Sequence, residues 1–230
     1  MEKILIILKR LNNEYVKQRL LLIFLTIQNV ILSLIVLIYA NVIISNGKIL
    51  GEVDYGQIRL FYNITIAALF LIIVIYTPIL FSRVLKNLYE ENVIDHLQTV
   101  KIGIDDIIYA VFLRGISTLL ILLVSAFPII SVSFYFGGFG IFKIIRLLLF
   151  VICFAVFASS ISIYISTIIF DANASMIISY VIIGILALIH LFYINLFIKN
   201  NLSIFLYILF CLIMSLILLS ISRRTKLFNA

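Results

Sequence analysis

Residues 20–44 read LLLIFLTIQNVILSLIVLIYANVII, with no lysine, arginine, aspartate or glutamate among them. A helix rises about 1.5 Å per residue, so this run is long enough to cross a hydrocarbon layer of roughly 30 Å. Nothing in that layer can hydrogen-bond an exposed backbone group, which is why such a run reads as helix. Five further stretches have the same character: 60–81, 107–136, 147–170, 174–198 and 202–221. The third is long enough to protrude or tilt. The last two junctions, Asp171 to Asn173 and Lys199 to Asn201, are so short that the helices they join must be hairpin neighbours.

Composition agrees with this reading. The chain has 230 residues, 65% hydrophobic and 12% charged, with a mean hydropathy of +1.30. A soluble domain carries about 45–50% apolar and roughly 25% charged residues, so lipid must be part of this protein's solvent. The net charge of +7 comes from basic residues that flank the apolar runs and form no patch. Orientation in a membrane therefore accounts for the charge, and nucleic acid is not expected as a partner. Cys153 and Cys211 sit inside apolar runs, where packing is the default use of a thiol. The N-terminus lacks the short apolar core and cleavage site of a secretory signal.

Lysine and arginine in the flanks predict the orientation. Eleven fall on one side: Lys3, Lys9, Arg10, Lys17 and Arg19 before the first span, Arg83, Lys86 and Lys101 between spans two and three, and Arg223, Arg224 and Lys226 at the end. The opposite side has five: Lys48, Arg59, Lys143, Arg146 and Lys199. Both termini are thus expected in the cytoplasm, in a plasma membrane. The Ile-, Asn- and Lys-rich, Trp-free composition suggests a bacterial source. Before the first span, Ile4, Leu8, Leu11 and Tyr15 recur at helical spacing with cations elsewhere on the wheel. Residues 1–19 are accordingly expected to form an amphipathic helix lying at the anionic inner leaflet, and residues 20–230 a six-helix transmembrane domain.

The connection 83–106 is the longest in the chain and holds half of its ten acidic residues: Glu90, Glu91, Asp95, Asp105 and Asp106. Leu85, Tyr89, Val93, Leu97, Val100 and Ile104 step by three or four, which is one face of a helix. The opposite face carries Lys86, Glu90, Glu91, Asp95 and Gln98. Such a helix rests its apolar side on its own bundle and offers charge to a partner.

At this loop the sequence resembles the membrane subunits of ABC-2 type transporters. That family carries an acidic helix of the form R-E-x-G-T-L-E-x-L-L after its second span, followed by a proline. Here Glu90, Glu91, Ile94, Asp95, Leu97 and Thr99 match in order. Asn92 and Val93 stand where Gly and Thr are usual, and Lys101 where Pro is usual. The resemblance extends to the interfacial N-terminal helix, the six spans, the long loop after span two, the long third span and the short connection between spans four and five. It implies an all-α membrane protein whose cytoplasmic coupling helix docks on a separate ABC ATPase subunit. The implied contact residues are Glu90, Glu91, Asp95, His96, Leu97, Gln98, Thr99 and Lys101. It also implies a second permease copy, in a homodimer or beside a homologous permease, and export of an amphipathic or hydrophobic substrate such as a peptide, drug or lipid-like molecule. No cofactor is expected in this chain; ATP and Mg would belong to the ATPase.

The chain has no ATPase motif of its own. Gly51 and Gly56 have the spacing of a phosphate-binding loop, but Gln57 and Ile58 stand in place of its Lys and hydroxyl residue. His96 and His190 have no second ligand at helical spacing, and no nucleophile constellation occurs.

Polar residues inside the spans have two readings. Ser159, Ser160, Ser162, Ser166 and Thr167 make part of the fourth span polar, for helix packing first and as a translocation surface second. Gln28 and Asn29 lie in the first span. Arg114 lies about two turns into the third, able to snorkel to the interface or meet an acid such as Asp106. Asp171 is expected to cap the fifth helix. Pro78 and Pro128 should bend their helices, and Gly137, Gly138 and Gly140 suggest irregular chain between 127 and 143. A secondary transporter competes poorly, since the span centres are almost free of charge. A membrane-embedded immunity or structural protein is the other alternative.

Overall fold

A computed structural model describes residues 15–50, 55–90, 104–131, 141–169, 171–199 and 201–224. Those residues are helical almost throughout. The helices are α1 Tyr15–Leu50, α2 Tyr55–Glu90, α3 Ile104–Ser131, α4 Ile141–Ile168, α5 Ala172–Lys199 and α6 Asn201–Arg224. Each contains a stretch apolar and long enough to cross a membrane: Leu21–Ser45, Asn63–Ser82, Asp106–Ile129, Ile145–Ile168, Ala172–Phe192 and Ser203–Ser222. All six expected spans are present, with ends shifted by a few residues. The protein is a multi-pass, all-helical membrane protein as far as it is described. The expected interfacial helix falls on residues 1–14, outside the described residues, and on Tyr15 to Arg19, which continue into α1.

The bundle is arranged around α4, which packs against α2, α3, α5 and α6. Seven consecutive α4 residues, Phe157 to Ile163, are all buried. A helix enclosed on every side over two turns needs small side chains, so that neighbouring backbones can approach. Ala155, Ala158, Ser159, Ser160 and Ser162 supply them. Most of the α4 serine hydroxyls turn back onto their own helix, and the buried Ser162 hydroxyl is the exception, with no hydrogen-bond partner among the described residues. Ser159 donates to the Ala155 carbonyl at 2.7 Å, Ser160 to Val156 at 3.0 Å and Ser166 to Ser162 at 2.7 Å. This is how a serine-rich helix satisfies itself without water.

An aromatic layer ties the other helices to α4. Phe70 of α2 lies 4.7 Å from Phe154, measured between ring centroids, and Phe150 stacks on Tyr207 of α6 at 4.3 Å. His190 of α5 lies 4.9 Å from Phe154 and 5.3 Å from Tyr207. Its Nδ1 is 2.6 Å from the Leu186 carbonyl; a carbonyl can only accept, so Nδ1 carries the proton. The expectation that α4, α5 and α6 are consecutive neighbours holds. Between α4 and α5 the Asp171 carboxylate accepts from the backbone N–H groups of Asn173 (3.1 Å) and Ala174 (3.4 Å), the N-cap expected of it.

The two prolines sit within continuous helices. Pro78 removes the donor that would reach the Val74 carbonyl. The carbonyls on either side of that gap carry extra donors: Thr77 bonds Ile73 at 2.6 Å, and Tyr180 of α5 bonds Ile75 at 3.1 Å. Helix α3 runs past Pro128 to Ser131, whose hydroxyl bonds the Pro128 carbonyl at 2.6 Å. Residues 132–140, where irregular chain was expected, lie outside the described residues.

Candidate functional site

The sequence-derived candidate is the 83–106 connection, and the described part of it is its two ends. The apolar span of α2 closes at Ser82, but the helix continues to Glu90. Those extra residues project about 12 Å beyond the span at 1.5 Å per residue. Helix α3 begins at Ile104, just before its own apolar stretch. Glu90 is therefore the last residue of α2. Glu91, Asp95, His96, Leu97, Gln98, Thr99 and Lys101 lie outside the described residues.

The base of the connection is built for close approach. α2 and α3 pack against each other, and the Phe81 ring of α2 is fully buried over Gly115 of α3. A Cβ at position 115 would collide with that ring, so glycine is required there for steric reasons. Beside it Arg114 is part-buried and lies within electrostatic range of the buried Tyr76 hydroxyl on α2. Its backbone carbonyl accepts from Ser117 (2.7 Å) and Thr118 (2.9 Å). A hydroxyl pair, Ser82 of α2 and Ser166 of α4 at 3.1 Å, fastens the same end of the bundle to the central helix. The segment after Ser82 thus leaves from a rigid platform of α2, α3 and α4.

Comparison with known proteins finds no matching family model, no matching curated protein and no matching solved structure. The functional reading therefore stands on the resemblance carried by residues 83–106 and on the order of the spans.

A crevice between α3 and α4, lined by Ile116, Leu119, Leu123 and Ala155 among others, encloses about 10 Å³ and is apolar. That is about the smallest space a water molecule needs, and a water also needs polar partners, which this lining does not offer. The serines of α4 are packed among neighbouring helices; Ser159, Ser160 and Ser166 bond their own helix's carbonyls, and Ser162 does not.

One cross-helix contact had no precursor in the sequence. Gln28 of α1 is buried, and its Nε2 donates to the Leu122 carbonyl of α3 at 2.7 Å and lies 3.4 Å from the Ser125 hydroxyl. Its Oε1 is enclosed without a partner. The contact joins residues 94 positions apart, a distance no local spacing rule spans.

Proposed function

We propose that this chain is the membrane-spanning subunit of an ATP-driven ABC exporter of the ABC-2 type. The observation that carries the reading is the long acidic connection after the second of six spans, launched by a helix that continues past its apolar stretch to Glu90. In this reading residues 1–19 lie at the inner leaflet and both termini are cytoplasmic, in the plasma membrane of a bacterium. The connection 83–106 carries the coupling helix, and Glu90, Glu91, Asp95, His96, Leu97, Gln98, Thr99 and Lys101 contact a separate ATPase subunit. That subunit holds ATP and Mg. Two copies of the permease, or one copy and a homologous permease, form the path for an amphipathic or hydrophobic cargo.

Two physical features support it. The platform beneath the connection is tightly packed, so a push on the coupling helix would move α2 and α3 together with α4 as a unit. Helix α4, at the centre of a single copy, is buried without a break from Phe157 to Ile163, which favours a path at a junction between subunits.

The test is co-expression with the neighbouring ATPase gene product, followed by purification and ATPase assay in lipid with amphipathic peptides, drugs and lipids. Copurification and stimulation by one cargo class are expected, and both should disappear on the double reversal Glu91→Lys and Asp95→Lys. Unchanged assembly in that variant would remove the docking assignment. A membrane-embedded immunity protein without transport becomes the leading reading if no ATPase associates.

A further inference from the structure

Side chains facing lipid should be hydrocarbon, because a polar group there loses its hydrogen bonds to water and gains none. The outward faces of α5 and α6 obey this: Val181, Leu188 and Phe192 on one, Phe205, Leu209 and Leu216 on the other are exposed aliphatic or aromatic residues. Exposed hydroxyls elsewhere in the spans are satisfied locally. Thr26 bonds the Leu22 and Ile23 carbonyls, Ser117 that of Arg114, and Ser220 that of Ile217.

Thr26 lies on α1, but three other polar residues of that helix break the pattern. Ser33 is exposed and its hydroxyl makes no hydrogen bond among the described residues. Asn29 is part-exposed and makes no hydrogen bond among the described residues; its Oδ1 is enclosed within its own chain, so its amide N–H group is what it can offer outward. Asn41 is exposed and likewise makes no hydrogen bond there. Asn29, Ser33, Leu37 and Asn41 are each four residues apart, so they form one continuous ridge along the helix, about 18 Å long at 1.5 Å per residue. Ser33 lies near the middle of the span Leu21–Ser45, far from headgroups and water.

We propose that the Asn29–Ser33–Leu37–Asn41 ridge of α1 is the seam along which two copies of this chain join in the membrane. The chemistry selects the occupant. The ridge is uncharged, and an asparagine amide both donates and accepts, so it is complementary to itself. A twofold axis along the membrane normal brings the same groups of two copies together, so that Asn41 can pair with Asn41 and the Asn29 amide N–H can donate to a Ser33 hydroxyl. A small residue at the centre of a four-residue repeat lets two helices cross closely. The inference rests on the two-copy part of the reading above and is independent of ATPase docking.

The test uses the full chain in native membranes, with oxidative cross-linking by copper phenanthroline. Cys153 and Cys211 are buried, so the unaltered chain should remain monomeric on a denaturing gel. Ser33→Cys should give a dimer-mass band, whereas Val181→Cys on the outer face of α5 should not. Adding Asn29→Leu to Ser33→Cys should weaken self-association about tenfold in a bilayer dilution series, and Asn29→Gln should weaken it less. Differently tagged copies of the unaltered chain should also copurify, which checks association without any substitution. A monomeric Ser33→Cys chain, cross-linking at Val181→Cys in its place, or failure of tagged copies to copurify would overturn the seam. A dimer band without any associating ATPase would keep the seam and remove the permease reading.

Discussion

Helices α4 and α1 are both apolar enough to cross a membrane, yet 72% of the apolar window of α4 is buried inside the bundle against 11% of that of α1. The difference lies in side-chain size and in where the polar atoms go. In α4 the small residues Ala155, Ala158, Ser159, Ser160 and Ser162 draw four helices inward, and the Ser159 and Ser160 hydroxyls close onto backbone carbonyls. In α1 large aliphatic residues such as Leu34, Leu37 and Ile38 face outward, and Gln28 is a polar anchor into α3. Apolar content brings a helix into the membrane, whereas small side chains and satisfied hydroxyls bring it to the centre of the bundle.

The sharpest way to break this contrast is to enlarge a serine in each helix. Ser160→Leu adds volume where there is none, at a cost of about 3 kcal/mol or more, and should abolish a monodisperse peak in size-exclusion chromatography. Ser33→Leu, on the outer face of α1, should leave the fold of each copy intact. Equal damage from both would mean that α1 is as central as α4.

Gly115→Ala comes next. The new methyl meets a fully buried ring that must shift to admit it, so a loss of about 1–3 kcal/mol is expected in denaturant titration in detergent. Phe81→Leu in the same chain should recover part of it; additive losses would remove the contact from the account.

Gln28→Leu removes the bond to Leu122 but also relieves the enclosed Oε1, so its net cost should be only about 0.6 kcal/mol. Faster proteolysis of α1, with the rest of the bundle protected, would show that the anchor holds α1 in place. Ser82→Ala is expected to have the smallest effect, up to about 0.6 kcal/mol, because Ser166 keeps its bond to the Ser162 carbonyl.

The spans, their number and their order were legible because length and apolarity are local properties. The Asp171 cap was legible for the same reason, since its partners Asn173 and Ala174 are two and three residues away. The packing role of the α4 serines was also readable, because a hydroxyl that bonds four residues back is a property of one helix. The role of Gln28 was not, because its partner lies on another span. Nor was the glycine at 115, whose constraint comes from a ring on α2. The coupling region was readable only as a pattern of charge and spacing, and beyond Glu90 it lies outside the described residues.

By itself, then, the sequence determined that this protein lives in lipid, that it crosses six times, and that its acidic charge is concentrated between the second and third spans. Only the tertiary structure decided which span is central, which polar groups are satisfied within the chain, and which face of α1 is left with unmatched amides. The reason is physical. Entry into a membrane depends on the summed apolarity of one segment, while position within a bundle depends on contacts between segments far apart in the chain.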